Sequence, residues 1–357
     1  MNTTLQHKKE NTVISIAKAL CIILVVVGHS GCPKNVHTFL HLFHVPLFFF
    51  TSGYFFRHAE TINELGNKLA KRFKRLYVPF WLYSLAFLLL NSLFIKIGFL
   101  SDSMQVSGLR EYADKLLRLT LKMDTTSQLL GGFWFIRSLF IAAVINEIAL
   151  FIGRKIKGAD YWLLALSFIS VLVLRSFPPG TPVVRQLILS TYGMVFFLYG
   201  KVFRKYENKL KYSYGMLIGS FIFLLVWTFM YPRPLSVHVT HVFDSFMFMT
   251  VAPVGILFVI NLSYYLDRTK LKKTLVYIGN HTLAILALHL ICFKLISLLA
   301  VYIGPAAPGS LSDFPVVQGL KSFWWLLYSS TGVLIPMVIV RIIDTLKKPY
   351  VKWKNNE

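Results

Sequence analysis

Apolar runs of membrane-spanning length recur along this chain and constrain its fold more than any other feature. A bilayer core about 30 Å thick requires roughly 20 apolar residues in a helix, and 55% of the 357 residues are hydrophobic. Only 15% are charged, against about 25% in soluble domains. The sequence therefore predicts an all-α, polytopic integral membrane protein with one transmembrane domain over 1–357.

About ten transmembrane helices are expected from the apolar runs. Lys and Arg number 25 in the loops on one side and 9 on the other, with four more inside spans. Loops rich in Lys and Arg are cytoplasmic, so both termini are predicted to be cytoplasmic, which requires an even number of helices. The predicted spans are 13–31, 39–56, 78–100, 133–152, 161–175, 187–203, 214–231, 240–262, 281–303 and 322–343.

The formal net charge of +23 would suggest nucleic-acid binding in a soluble chain. Here the cations lie in short clusters between apolar runs, so membrane topology explains them and no nucleic-acid partner is expected. The three cysteines do not form a disulfide framework, because their number is odd and two lie inside apolar runs. Cys32 is a weak candidate nucleophile, since Pro33 is expected to place it in an outer loop.

The first span carries two ionisable side chains, Lys18 and His29. Such groups are costly inside a bilayer and are functional candidates by default. Their separation of eleven residues is about three helical turns, so both project from one face, roughly 16 Å apart. A short connection brings His44, at the start of the second span, to the depth of His29. We therefore predict His29 and His44 as a catalytic pair, although a snorkelling lysine and a histidine that caps a helix are the structural alternatives.

A cationic cluster follows the second span and includes Arg72 and Arg75 at i, i+3 spacing. Side chains at this spacing lie on one helix face, and guanidinium groups suit phosphate. The pair is predicted to face one anion at the inner surface, such as a phosphorylated donor. The alternative is a cluster that only sets the topology.

Further ionisable or aromatic residues fall near the outer ends of the fourth and eighth spans. We predict that they contact a substrate. His289 and Glu147 also lie within spans but receive no role from the sequence. The four predicted substrate-contacting residues are Trp134, Arg137, His241 and Asp244.

Several motifs occur in the order found in the acyltransferase-3 family of membrane acyltransferases, and they resemble its fucose 4-O-acetylase-like subgroup most. The resemblance covers most of the chain, with the specific motifs mainly in the first half. Lys18 departs from the family pattern, since many members carry Arg there; Lys keeps the charge but loses bidentate geometry. The matching segments are Lys18-x10-His29, 43–54, Arg72-x-x-Arg75, 132–135 and 278–283.

The resemblance implies transfer of an acyl group, usually acetyl, from acyl-coenzyme A to a hydroxyl of a sugar or cell-surface glycan. His29 would be the general base, because a histidine near its ordinary pKa can take a hydroxyl proton. Lys18, Arg72 and Arg75 would bind the donor phosphates, without a metal, in a bacterial inner membrane. A transporter of glycan intermediates and a structural subunit are the alternatives. The acceptor, the acyl group and the oligomeric state, homo-oligomers included, are left open.

The charge distribution predicts that a reporter fused to the C-terminus and one inserted in the 101–132 loop report opposite sides of the membrane. The prediction follows from the enrichment of Lys and Arg in cytoplasmic loops. Fusions to alkaline phosphatase and to green fluorescent protein measure on which side of the membrane each position lies. A fusion after residue 76 should agree with the C-terminal one. The same side for both test fusions would contradict the topology.

Overall fold

The computed structural model describes residues 11–177, 180–231, 233–320 and 323–354, and for 347–354 the backbone alone. Within these ranges the chain forms α-helices joined by turns and by several longer loops, and no β-strand occurs. The helices are α1 (Thr12–His29), α2 (Lys34–His41), α3 (His44–Tyr54), α4 (Ile62–Arg72), α5 (Val78–Leu89), α6 (Asn91–Lys96), α7 (Gly108–Lys122), α8 (Trp134–Ile152), α9 (Ala159–Arg175), α10 (Pro182–Tyr206), α11 (Tyr214–Met230), α12 (Val242–Leu266), α13 (Lys272–Asn280), α14 (Thr282–Tyr302) and α15 (Trp324–Lys354).

Six helical segments in the described ranges are long and apolar enough to cross a membrane, and α11 is apolar but shorter. The all-helical fold and the integral membrane class predicted from the sequence are confirmed. The number of ten spans and the cytoplasmic position of the termini stay predictions. The six segments are Thr12–His29, Gln128–Lys155, Pro182–Lys209, Val242–Leu266, Thr282–Tyr302 and Trp324–Leu346.

The predicted second span is not one continuous helix. α2 ends at His41 and α3 begins at His44, because Phe43 has a non-helical backbone (φ −146°, ψ −18°). Pro46 lies in the first turn of α3, where its missing N–H costs no intrahelical hydrogen bond. The break places His44 at a helix start, beside the end of α1.

The predicted third span is also divided, at Leu90, into α5 and α6. Buried Asn91 holds the following segment, since its side chain donates to the Met104 carbonyl (3.2 Å) and accepts from the Val106 amide (3.1 Å). That segment leads into α7, a helix within the region predicted as a polar outer loop. α7 packs along α5, and Trp81 Nε1 of α5 lies 3.1 Å from Thr120 Oγ1.

Helix α1 is the centre of the bundle and packs against α2, α3, α12, α13, α14 and α15. Its contact with α13 is close because Gly279 has no side chain. A Cβ at Gly279 would lie 1.8 Å from the carbonyl oxygen of Ser15. Small residues permit such close approach between helices in membranes. The Lys18 end of α1 therefore packs on α13, and the His29 end on α14.

Helices α3 and α10 also cross closely, through Gly53 and Gly200. A Cβ at Gly53 would lie 1.7 Å from the Phe197 carbonyl oxygen, and one at Gly200 would lie 1.9 Å from that of Phe50. Neither backbone can give way without moving a helix. The two glycines therefore fix the position of α3, which begins with His44.

We expect Gly53→Ala to destabilise the protein by about 1–3 kcal/mol, the usual cost of overpacking a close-packed interior. A lower thermal midpoint in detergent, followed by tryptophan fluorescence, measures the loss. Gly219→Ala in α11 is the matched control, because no atom lies within 4 Å of a Cβ there and Ala favours a helix over Gly. Equal midpoints for the two variants would contradict the close-packing argument.

Candidate functional site

A cavity of about 210 Å³ lies at the His29 end of α1. Most of its wall is apolar, and the polar side chains that reach it come from segments far apart in sequence. Four residues predicted as site residues meet in it: His29, His44, Arg75 and Trp134. Further lining residues come from α8, from the segment before α12 and from the first turns of α14, and they include Leu139, Val237, His238, Thr282 and Leu286.

His29 is paired with His289, not with His44 as predicted. His29 Nδ1 lies 2.8 Å from His289 Nε2, and the two rings stack with centroids 5.1 Å apart and planes at 14°. His289 is fully buried in α14. The predicted pairing is wrong because α14, not α3, packs the partner imidazole against the end of α1. The role of His29 as base stays a prediction.

The surroundings of His289 fix which ring nitrogens carry hydrogen. His289 Nδ1 lies 3.0 Å and 3.1 Å from the carbonyl oxygens of Leu286 and Ile285. A carbonyl only accepts, so this nitrogen is the donor, and in a neutral ring Nε2 is then an acceptor. His29 must donate to it from Nδ1. The lone pair of His29 therefore resides on Nε2, the nitrogen not engaged by His289.

His44 lines the same cavity but is held by its own chain. Its Nδ1 donates to the Leu40 carbonyl oxygen at 2.5 Å, and its ring meets that of His41 edge to face with centroids 4.7 Å apart. The ring of His41 in turn stacks on the ring of His37, with their centroids 3.8 Å apart. His44 can thus contact a molecule in the cavity without being the hydrogen-bond partner of His29.

Lys18 lies on the face of α1 that carries the cavity residues. Ile22, Val25 and His29 line the cavity, and Lys18 precedes Ile22 by about one turn. Its side chain is half-buried. This agrees with the predicted single face for Lys18 and His29.

Arg72 and Arg75 face different surroundings, so the predicted shared anion site is not formed. Arg72 Nη2 lies 3.0 Å from Glu147 Oε1, and Arg72 Nη1 donates to Ser52 Oγ at 2.7 Å. Arg72 is the last residue of α4, whereas Arg75 lies in the short π-helical turn at 73–77 and lines the cavity. The buried carboxylate of Glu147 thus neutralises Arg72, which joins α4 to α8, whereas Arg75 is placed to meet a ligand.

Trp134 and Arg137 open α8, and both line a second, polar pocket. Arg137 Nη1 lies 2.6 Å from Asp124 Oδ1. The Trp134 ring also lines the His29 cavity and meets the ring of His238 with centroids 4.7 Å apart. Trp134 is therefore the wall shared by the two spaces.

His241 and Asp244 do not line the cavity, and their contact with a substrate stays a prediction. His241 is exposed at the start of α12. Asp244 is buried and accepts from Tyr231 Oη at 2.5 Å, with Arg233 Nη2 at 3.1 Å. These contacts tie Tyr231 and Arg233 to α12, and His238, in the loop before that helix, lines the cavity.

His238 was missed by sequence reasoning because it lies in a loop, outside any apolar span. Desolvation against the cavity wall, followed by the positive charge of Arg175 and then of Arg185, lowers its pKa below the ordinary value for histidine. It is thus expected to be neutral at neutral pH. Nothing in the sequence marks His238 as a site residue. Its nearness to Arg175, whose Nη2 donates to the Val237 carbonyl (3.2 Å), exists only in the folded chain.

The geometry of the described residues offers no candidate metal site. Across the described residues, no three His, Cys, Asp or Glu side chains are grouped so that they could hold a metal ion. Cys32, the weak candidate nucleophile, is a free thiol three residues after the end of α1, and no contact tests that role.

Comparison with known proteins identifies a family. The family model described as an acyltransferase domain matches residues 11–341. A curated protein named nodulation protein NolL, from Mesorhizobium japonicum, is 23% identical over 247 residues, which cover 62% of this chain and 58% of that protein. The match thus spans less than two thirds of that relative. No solved structure matches the chain significantly.

Proposed function

This chain belongs to the acyltransferase-3 family of integral membrane acyltransferases, and from that premise we propose that it transfers an acyl group, acetyl in the first instance, from acyl-coenzyme A to a hydroxyl of a sugar or cell-surface glycan. The observation that carries the proposal is the His29–His289 pair (2.8 Å) at the cavity wall. It supplies a fixed base where an acyl group has room to bind.

The proposed reaction uses the free lone pair of His29. A sugar hydroxyl is a poor nucleophile at neutral pH, and a positioned base raises its reactivity by taking the proton as the bond forms. His29 Nε2 accepts the hydroxyl proton while the oxygen attacks the thioester carbonyl carbon. The carbon–sulfur bond then breaks, and the proton passes to the departing coenzyme A thiolate. His289 positions His29 and does not touch the substrate.

The donor is proposed to enter from the side of Arg75. This guanidinium lines the cavity together with apolar residues such as Ile22, Leu139 and Leu286. A cation suits a phosphate of coenzyme A, and the apolar wall suits the thioester arm. Lys18 lies on the same face of α1 as the cavity residues, nearer the N-terminal end of the helix. Arg72 acts on the donor only indirectly in this proposal, by holding α4 against α8 through Glu147.

His29→Ala is expected to lower kcat by about 10² to 10⁴, the usual contribution of general-base catalysis. His289→Ala should lower it by less, because His29 remains but loses its orientation. Release of coenzyme A and label transfer from acetyl-coenzyme A to a glycan pool measure both effects with purified protein in nanodiscs. His37→Ala is the control, since His37 is exposed and stacks only on His41.

Near-full transferase activity of the His29→Ala variant would contradict the mechanism. Absence of any transfer by the wild-type protein, combined with glycan movement across vesicles, would favour the transporter alternative.

Arg75→Ala is expected to raise the KM for acetyl-coenzyme A about tenfold or more with little change in folding, since a lost charged hydrogen bond is worth about 1.5–3 kcal/mol. Lys74→Ala is the matched control, because Lys74 is a neighbouring exposed cation outside the cavity lining. Arg72→Ala should instead lower the thermal midpoint, because it leaves the buried Glu147 carboxylate unpaired. Equal KM values for acetyl-coenzyme A in the Arg75 and Lys74 variants would indicate that Arg75 only helps to set the membrane topology and does not bind the donor.

A further inference from the structure

Lys294 is a fully buried lysine of α14 that the proposed mechanism does not use. Its ammonium group donates to two main-chain carbonyl oxygens, those of Leu311 (2.8 Å) and Asp313 (2.6 Å). A buried cation is costly unless it is hydrogen-bonded, so these two contacts matter to the cation and to the segment that supplies them. That segment, residues 308–318 between α14 and α15, is called the strap below.

The strap is also held from α15 and by its own side chains. Tyr328 Oη lies 3.0 Å from Ser297 Oγ and accepts from the Val317 amide at 3.4 Å. The Asp313 carboxylate accepts from the Gln318 amide at 3.0 Å. Segments that connect helices are commonly mobile and exposed. The strap is instead fixed to both of the helices that it joins.

The strap lies on the backbone of two segments that carry the candidate site. Val316 contacts Gly31, two residues after His29, where a Cβ would lie 3.2 Å from Val316 Cγ2. Phe314 contacts Gly131, where a Cβ would lie 3.0 Å from the ring. The residue that follows Gly131 lines the His29 cavity. The strap therefore covers the end of α1 beside the candidate base.

A thioester bound beside a general base can react with water as well as with a sugar hydroxyl. The water oxygen would bond to the carbonyl carbon, the carbon–sulfur bond would break, and the base would pass one water proton to the thiolate. The products would be acetic acid and coenzyme A, and the acyl group would be lost. Exclusion of water from a closed site prevents such side reactions.

We propose that Lys294 is a positioning residue whose hydrogen bonds hold the strap over the His29 end of α1 and thereby keep water from the bound acyl donor. The inference rests on the function proposed above, and it adds selection of a hydroxyl acceptor over water. Lys294 touches neither substrate. An ammonium group is needed because it donates to both carbonyl groups at once, and hydrogen bonds to a charged group are stronger than those to a neutral one.

Closure by the strap is tested without catalysis by labelling a cysteine beneath it. Ser30 is 1% exposed and lines a small space together with Val316 of the strap, so Ser30→Cys is introduced with Cys32→Ser; the other two cysteines are buried. A water-soluble maleimide labels the full chain in nanodiscs. Lys294→Met should raise the labelling rate about tenfold or more, the effect of losing charged hydrogen bonds. Lys96→Met, the same change at an exposed lysine, should leave the rate unchanged.

Hydrolysis and transfer are followed together in the chain with its natural Ser30 and Cys32. Labelled acetyl-coenzyme A is supplied with a glycan pool, and free acetate and acetylated glycan are quantified. Lys294→Met is expected to raise the ratio of acetate to acetylated glycan about tenfold, and Lys96→Met to leave it unchanged. A merely structural role would lower both products together and leave the ratio unchanged.

Val316→Ala is a second variant, for the case that Lys294→Met does not fold. It keeps Lys294 and shortens only the side chain above Gly31, so it should raise the labelling rate and the ratio by smaller factors.

An unchanged labelling rate in the folded variants overturns the role of the strap as a cover. Faster labelling with an unchanged ratio of acetate to acetylated glycan overturns its role against water, while transfer by the wild type leaves the proposed function standing. If the wild type neither transfers nor hydrolyses acetyl-coenzyme A, the proposed function fails and the water barrier fails with it. Faster labelling of Lys294→Met would then still show that Lys294 holds the strap.

Discussion

A polar side chain inside a bilayer has no water to hydrogen-bond, so it must find its partner within the protein, often on another helix. That constraint determines how the helices of this chain are joined. Arg72 meets Glu147 and links α4 to α8, while His29 meets His289 and links α1 to α14. Each of these contacts removes a polar group from hydrocarbon and at the same time sets the position of a helix. The candidate site is therefore a product of the same requirement that holds the bundle together.

The sequence predicted the membrane class and several site residues because those depend on local signals. Apolar length identifies a span, and eleven-residue spacing places Lys18 and His29 on one face. The partner of His29 could not be predicted in this way, since His289 lies 260 positions away and nothing local distinguishes it from a structural histidine. The break before His44 did have a signal, Pro46, which favours a helix start within a turn. The position of His238 in the cavity had no local signal, because it depends on the tertiary contacts that Asp244 makes with Tyr231 and Arg233.

Two spaces of different chemistry lie on either side of Trp134. One is mostly apolar and carries a histidine whose tautomer is fixed through backbone carbonyl groups. The other is polar and carries balanced charge. The apolar space suits a thioester arm, and the proposed function places the acyl donor there beside His29.

The shortness of α3 bears on the distance that an acyl group would have to travel. Eleven residues of helix extend roughly 16 Å, about half of a hydrocarbon core near 30 Å thick. Because the ends of such a helix still need hydrogen-bonding partners, protein or water must reach well into the bilayer depth on at least one side of it. If water is what fills that depth, the layer between the two aqueous sides is thinner than a full hydrocarbon core there, and the membrane potential falls over a shorter path. A route through this part of the protein would cross a barrier set by half a bilayer rather than a whole one.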